Sequence, residues 1–313
     1  TVESESQDLM RVQVPTWRLW DVHNPEDLYE ELARAVSYNA LPTQIPPVTM
    51  GVGLTEQEEV RHTVEEILLG AGYTEIFTDG FYSRNARALL GIAQTHPLWN
   101  HVETVNAVDS AFSLLKNNCL VQALEVVKTN ARLRVDELRC FEWTRTFHPD
   151  AGAPNGLCKE REMLWLVGAS PVRGSSWKNN GGVSLWHLKR IVEEIATELR
   201  IHLTVEKEEP SLPMASLLHP FRQATICLDG RIVGIFGEVH PVVRNSIDLK
   251  GTWPYYLEIE AGALRLGEWR RNVEPPSPYQ DILRTLSLIL PPRLQAAQVA
   301  RHLRKSGPEW LAS

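Results

Sequence analysis

Apolar positions recur at helical spacing in several stretches of the chain. Val60, Val64, Ile67 and Leu68 fall on one helical face. Thr55 and Glu58 in front of them form the capping-box pattern, Thr followed by Glu three residues later. Gly70-Ala71-Gly72 behind them supplies a residue that accepts the left-handed conformation and ends the helix. Leu114, Leu115, Leu120, Leu124 and Val127 predict a helix over 113–131, and Leu188, Ile191, Val192 and Ile195 predict one over 184–199. Residues 26–36 read as an acidic helix and 294–305 as a last one.

Other stretches read as strands. Residues 73–81 are rich in Thr, Ile and Phe, 162–169 form a buried apolar run, and 255–259 and 286–290 are shorter runs of the same kind. Val12-Gln13-Val14-Pro15 and the stretch Arg132-Leu133-Arg134-Val135 alternate with a period of two, the second predicting a strand with one basic, solvated face. The strongest local signal is Asp229-Gly230 between 224–228 and 232–236, because Asp-Gly suits the type I′ turn of a two-residue hairpin. Antiparallel pairing combined with long helices predicts an α+β fold rather than a doubly wound one.

Proline marks the boundaries. Leu41-Pro42 with Pro46-Pro47, and Pro275-Pro276-Ser277-Pro278, hold the chain extended and read as linkers. The organisation expected is a first zone at 1–47, a main domain at 48–270 and a last zone at 271–313. One strand and one helix bury little surface, so the last zone reads as the start of an incomplete domain. The absence of an initiator Met hints at a fragment or a processed chain.

Composition narrows the class. The 313 residues are 43% hydrophobic and 23% charged, ordinary globular usage that excludes wholesale disorder or a coiled-coil rod. The formal charge of −7 argues against autonomous nucleic-acid binding, which needs clustered cations, although 265–313 carries eight Lys/Arg against four Asp/Glu. Cys119, Cys140, Cys158 and Cys227 form no C-x-x-C pair, so the reading is a reducing compartment and neutral thiols. No apolar run approaches the ~18 residues of a membrane span.

Chemistry-bearing groups are few. Asp21, Asp27, Glu30 and Glu31 form a carboxylate cluster in which Asp27, Glu30 and Glu31 share a helix face. Oxygen ligands this dense suit a hard cation such as Mg²⁺, and equally offset a helix dipole in its first turn. His96, His148, His219 and His240 each precede Pro and read as loop turns. Asn179-Asn180-Gly181-Gly182 lacks the Lys-Ser/Thr of a phosphate loop, Ser170 and Ser175-Ser176 lack a nucleophile-elbow context, and Gly230, Gly234 and Gly237 open no helix. Trp17, Trp20, Trp143, Trp165 and Trp186 are scattered as packing residues are.

Five segments in order resemble the β subunit of phenylalanyl-tRNA synthetases. They are Val14-Pro15-Thr16-Trp17-Arg18 with Asp21 and 27–34; Ala71-Gly72-Tyr73-Thr74-Glu75-Ile76; Phe141-Glu142 with Arg145, Phe147 and Lys159-Glu160; Leu188-Lys189 with Val192-Glu193; and Leu218-His219-Pro220 with Arg222, Gly230, Gly234 and Gly237-Glu238-Val239-His240-Pro241. Phe221 stands where that family usually has Gly, and Gln223 where it has Ser. The resemblance implies a class II aminoacyl-tRNA synthetase-like antiparallel sheet flanked by helices, with partial domains at both ends. Residues 1–47 would end a small winged-helix-like domain, 48–270 would be a noncatalytic core, and 271–313 would open a ferredoxin-like anticodon-recognition domain. It further implies assembly with a catalytic α subunit, which uses the ATP, and a role in tRNA(Phe) aminoacylation in the cytoplasm. The helix over 55–69 would lie at the subunit interface, and Asp21, Asp27, Glu30 and Glu31 would bind Mg²⁺. No residue of the chain is expected to be catalytic, since no Arg follows Gly237 in the place of the family's catalytic signature. The alternative is a divergent stand-alone paralogue acting as an ATP-dependent ligase or a tRNA-binding module.

Overall fold

The computed structural model describes residues 2–4, 10–45, 47, 51, 53–107, 109, 112–150, 152–153, 157–170, 182–206, 212–249, 251–268, 280, 282–291, 294 and 296–308. The chain divides into two compact units, 1–65 and 66–313. The expected linker at 275–278, the turn at 179–181, Ser175-Ser176 and Asp281 lie outside the described residues.

The first unit begins with an antiparallel pair, β1 (Val2–Ser4) and β2 (Met10–Val12), and continues through a turn at Thr16–Arg18 into α1 (Pro25–Val36). Asn24 caps α1 in a full capping box with Asp27, and Pro25 occupies the first turn where its missing N–H is harmless. α2 (Glu56–Gly70) starts from the expected box, with Glu58 Oε2 accepting the Thr55 N–H at 2.8 Å. Gly72, at φ +80°, ends it.

The second unit is built on a seven-stranded sheet in the order β3 (Thr74–Glu75), β6 (Leu138–His148), β7 (Lys159–Ser170), β11 (Trp253–Glu260), β10 (Arg231–Val239), β9 (Leu218–Leu228) and β8 (Leu203–Glu206). Every neighbouring pair is antiparallel except β3 with β6. This is the expected α+β architecture of a sheet flanked by helices, with one parallel edge strand added. β4 (Phe81–Tyr82) and β5 (Leu114–Leu115) form a separate ribbon. α4 (Leu120–Arg132) packs on one sheet face, where Leu120, Val121, Ala123, Leu124 and Val127 meet Trp165, Val167, Ile235 and Tyr256 in one core. α5 (Leu185–Leu199) packs against β8 to β11 and buries Leu188, Ile191, Val192, Ile195 and Leu199 outside that core. α3 (Ala86–Leu89) and α6 (Pro241–Ser246) are short, and α7 (Ala296–Ser306) follows the sheet in sequence.

Some expectations need correction. The helix expected over 113–131 starts only at Leu120, because Leu114 and Leu115 pair with β4 and Asn117 turns its side chain onto the Leu98 and Asn100 carbonyls. Most of 73–81 is not strand: Thr78 leaves the ladder to bond Glu142. The alternation at 132–135 is a helix end rather than a strand. Arg134 takes φ +59° and the Val135 N–H reaches back to the Asn130 carbonyl. The 286–290 run is exposed and belongs to no strand. Trp17 and Trp20 are 73% and 76% exposed, so packing does not account for them, whereas Trp165 is fully buried.

Two of the His-Pro pairs lie in strands, His148 in β6 and His219 in β9, rather than in loops. His96, His219 and His240 share one device. Each Nδ1 accepts the backbone N–H two residues on, that of the residue after the Pro.

Candidate functional site

The four carboxylates expected to hold a metal are gathered around arginines. Arg18 donates from Nε to Asp21 at 2.8 Å and from Nη2 to Glu31 at 2.6 Å, so Asp21 does fold back toward the α1 face. Arg34 pairs with Glu30 and, at 3.2 Å, with Glu31. Asp27 Oδ2 accepts the His23 and Asn24 N–H groups at 2.7 and 2.8 Å, which holds its pKa below the usual carboxylate range. Arg18 does the same for Glu31. Among the described residues no group of three or more His, Cys, Asp and Glu side chains is placed to hold a metal ion. The cluster as folded is therefore an ion-pair network with a helix cap in it, and it does not fit a preformed cation site.

A second polar cluster lies on the α4 face of the sheet. Register places Glu142, Trp165, Glu258 and Ile235 in one row across β6, β7, β11 and β10, and a row shares one face. Glu142 accepts the Thr78 N–H and hydroxyl at 2.7 Å each and the Trp165 indole N–H at 2.8 Å. Lys116 Nζ stands 3.8 Å from Glu142, with 2% and 3% of the two side chains exposed. A buried ion pair persists only when further hydrogen bonds complete the carboxylate, and here three do. Among the described residues, Glu258 receives the Tyr256 hydroxyl at 2.8 Å. Burial pushes its carboxyl up to about 7 against that bond. Beside these, the Tyr82 hydroxyl accepts from Asn117 N–H and Asn118 Nδ2 and lies 2.6 Å from His101 Nε2.

Sequence patterns pointed to few of these residues. Lys116, Asn117 and Asn118 stand in a polar run that interrupts the supposed helix, which is the one local sign of them. Their partners are far apart in sequence; Thr78 and Glu142 are 64 residues apart.

The strand glycines have structural work. A Cβ on Gly234 would stand 2.5 Å from the Glu258 carbonyl oxygen, and one on Gly237 would stand 2.8 Å from that of Arg222. Both let neighbouring backbone approach rather than cradle a phosphate. Arg145 is held between Glu160 at 3.1 Å and Glu162 at 3.4 Å. Cys119, Cys140 and Cys227 are buried free thiols, and burial raises the pKa of Cys119 and Cys140.

The fold defines an α+β protein on a mainly antiparallel sheet with a helix layer on each face and a sheet surface closed by packed side chains. The chain belongs to the family described as the phenylalanyl tRNA synthetase beta chain CLM domain, whose model matches residues 41–261. The tRNA synthetase B5 domain model matches residues 1–38. Among curated proteins, phenylalanine–tRNA ligase beta subunits are similar along nearly the whole chain. That of Moorella thermoacetica is 29% identical over 99% of this chain, and that of Halalkalibacterium halodurans 28% over 99%. The chain spans only 38% of the length of each. Among solved structures, pyrrolysyl-tRNA synthetase from Desulfitobacterium hafniense superposes with a TM-score of 0.48 at 13% identity, covering 66% of this chain and 67% of that one. No helix among the described residues is long and apolar enough to cross a membrane.

Proposed function

We propose that this chain is the noncatalytic core of a phenylalanine–tRNA ligase β subunit. In this role it pairs with the catalytic α subunit and supports tRNA(Phe) aminoacylation in the cytoplasm. The observation that carries the proposal is the family match across 41–261. The filled sheet face supports the word noncatalytic. Trp165 and Tyr256 are fully buried under α4, the strand glycines are occupied by backbone, and Arg145 is neutralised by two glutamates. ATP clamping would need free arginines on an open surface. The winged-helix-like identity of 1–47, the core at 48–270 and the anticodon-domain identity of 271–313 belong to the same proposal. So does the α2 interface, where the exposed side is charged through Glu56, Glu59 and Arg61.

The four α1 carboxylates enter in one form only. If Asp21, Asp27, Glu30 and Glu31 hold Mg²⁺, Asp21 and Glu31 would first have to release Arg18 to offer it their oxygens. The test of the main proposal is light scattering of the chain mixed with a phenylalanine–tRNA ligase α subunit, with ATP calorimetry on the chain alone. A stable complex and no ATP heat are expected. ATP binding by the isolated chain, with no complex, would shift the assignment to a stand-alone ligase.

A further inference from the structure

The β6–β7 hairpin sorts its charge by face. Register pairs Arg145 with Glu162, Thr146 with Arg161, Phe147 with Glu160 and His148 with Lys159, so alternate rows point to opposite sides. One side carries Arg145 already saturated by Glu160 and Glu162. The other carries Thr146, His148, Lys159 and Arg161. Lys159 and Arg161 are exposed, and neither side chain makes an ion pair or hydrogen bond among the described residues. His148 Nε2 lies 3.1 Å from Thr146 Oγ1. Burial, then Arg161 and Lys159, push the pKa of His148 down to about 4.

Two cations on one strand face, with no ion pair among the described residues, repel each other and make a positive patch on a chain of net charge −7. Their side chains leave the strand about 6.7 Å apart, two residues of rise, which is the scale of successive phosphates on one strand of nucleic acid rather than of one ion. We propose that Lys159 and Arg161 contact successive backbone phosphates of RNA. This deepens the proposed function, on which the choice of RNA rests, by placing an RNA contact on the hairpin. Arg145, on β6 of the same hairpin, has no part in it.

The experiment is fluorescence anisotropy of a labelled single-stranded RNA with the 313-residue chain across a salt series. Parent, Lys159→Ala/Arg161→Ala and Arg145→Ala are compared. Matching thermal melts control for folding, and a Lys159→Gln/Arg161→Gln pair repeats the test with polar, uncharged side chains in place of the methyls. The double variants are expected to bind more weakly and to lose about 1.4 from the slope of log K against log salt, two single-strand phosphate contacts. Arg145→Ala is expected to keep the parent slope. Equal losses in all variants, no RNA binding by the parent, or displacement of RNA by inorganic phosphate at matched ionic strength would each overturn the proposal. Light scattering with the α subunit, run on the same variants, separates the two claims. A double variant that still forms the complex but has lost RNA binding localises the contact. Absence of a complex with every variant counts against the subunit assignment and leaves the RNA comparison readable.

Discussion

The carboxylates of α1 and those of the sheet are the same chemistry in opposite settings. Glu30 and Glu31 lie beside water and answer to Arg34 and Arg18, themselves partly solvated. Glu142 lies under a helix with a buried lysine and three donors. Exposed pairs contribute little, because water competes for each charge and two long side chains must be ordered. A buried pair contributes little net over an apolar replacement as well, but breaking it leaves one charge stranded. The difference lies less in how much each cluster stabilises than in how much its disruption destroys.

The largest effect expected follows from that asymmetry. Glu142→Ala leaves Lys116 buried without its counter-charge and deprives Thr78 and Trp165 of their acceptor. It should destabilise the second unit by about 3–5 kcal/mol, read as a fall in the urea midpoint. Lys116→Met should cost clearly less, because the carboxylate keeps its three donors. Equal losses for the two would show that packing volume, not the stranded charge, governs this site.

Glu258 gives the next effect, and its sign is the reverse of a salt-bridged acid. Its folded pKa is raised from 4.5 to about 7, so between those values the folded state holds a proton that the unfolded state has released. Stability from this group is present at low pH and is lost as pH rises through that window, by a few kcal/mol at most. His148 acts oppositely. Its pKa is lowered from 6.5 to about 4, so its contribution is lost as pH falls below 6.5. The two oppose each other between about 4.5 and 6.5, within the range where buried histidines and acids titrate. Glu258→Gln removes one of them. Urea midpoints of the variant should rise with pH more steeply than those of the parent across this window, and parallel curves would refute the assignment.

What the sequence disclosed follows the same division. α5, the α2 capping box and the Asp229-Gly230 turn are local, and spacing plus turn chemistry revealed them. Asp229 and Gly230 do adopt positive φ, 51° and 82°. The ion pair that Arg18 makes with Asp21 was not read from the sequence, although the two lie three residues apart. The network around Glu142 was hidden, since its donors come from a loop, a helix lead-in and a neighbouring strand, and no periodicity relates them. α1, read as an acidic helix, shows the gap between spacing and burial. That helix has an apolar stripe through Tyr29, Leu32 and Val36, as α4 has its own, but it buries no residue. Amphipathic spacing specifies a face and says nothing of what covers it.

The smallest effect is expected at Arg18, and it is the sharpest test of the α1 cluster. Arg18→Ala removes the donor shared by Asp21 and Glu31, both partly solvated, so the thermal midpoint should stay at the parent value in the absence of divalent ions. The same change takes away the cation that Mg²⁺ would have to displace. If exchange with Arg18 limits binding, the variant should take up Mg²⁺ more tightly than the parent by calorimetry, and added Mg²⁺ should raise its midpoint. Asp27→Asn in the same background separates ligand from cap. Asn still accepts the His23 and Asn24 N–H groups through its carbonyl but carries no charge, so it should keep the helix and weaken the metal. If Arg18→Ala gains no affinity for Mg²⁺, the four carboxylates serve α1 as ion pairs and a cap alone.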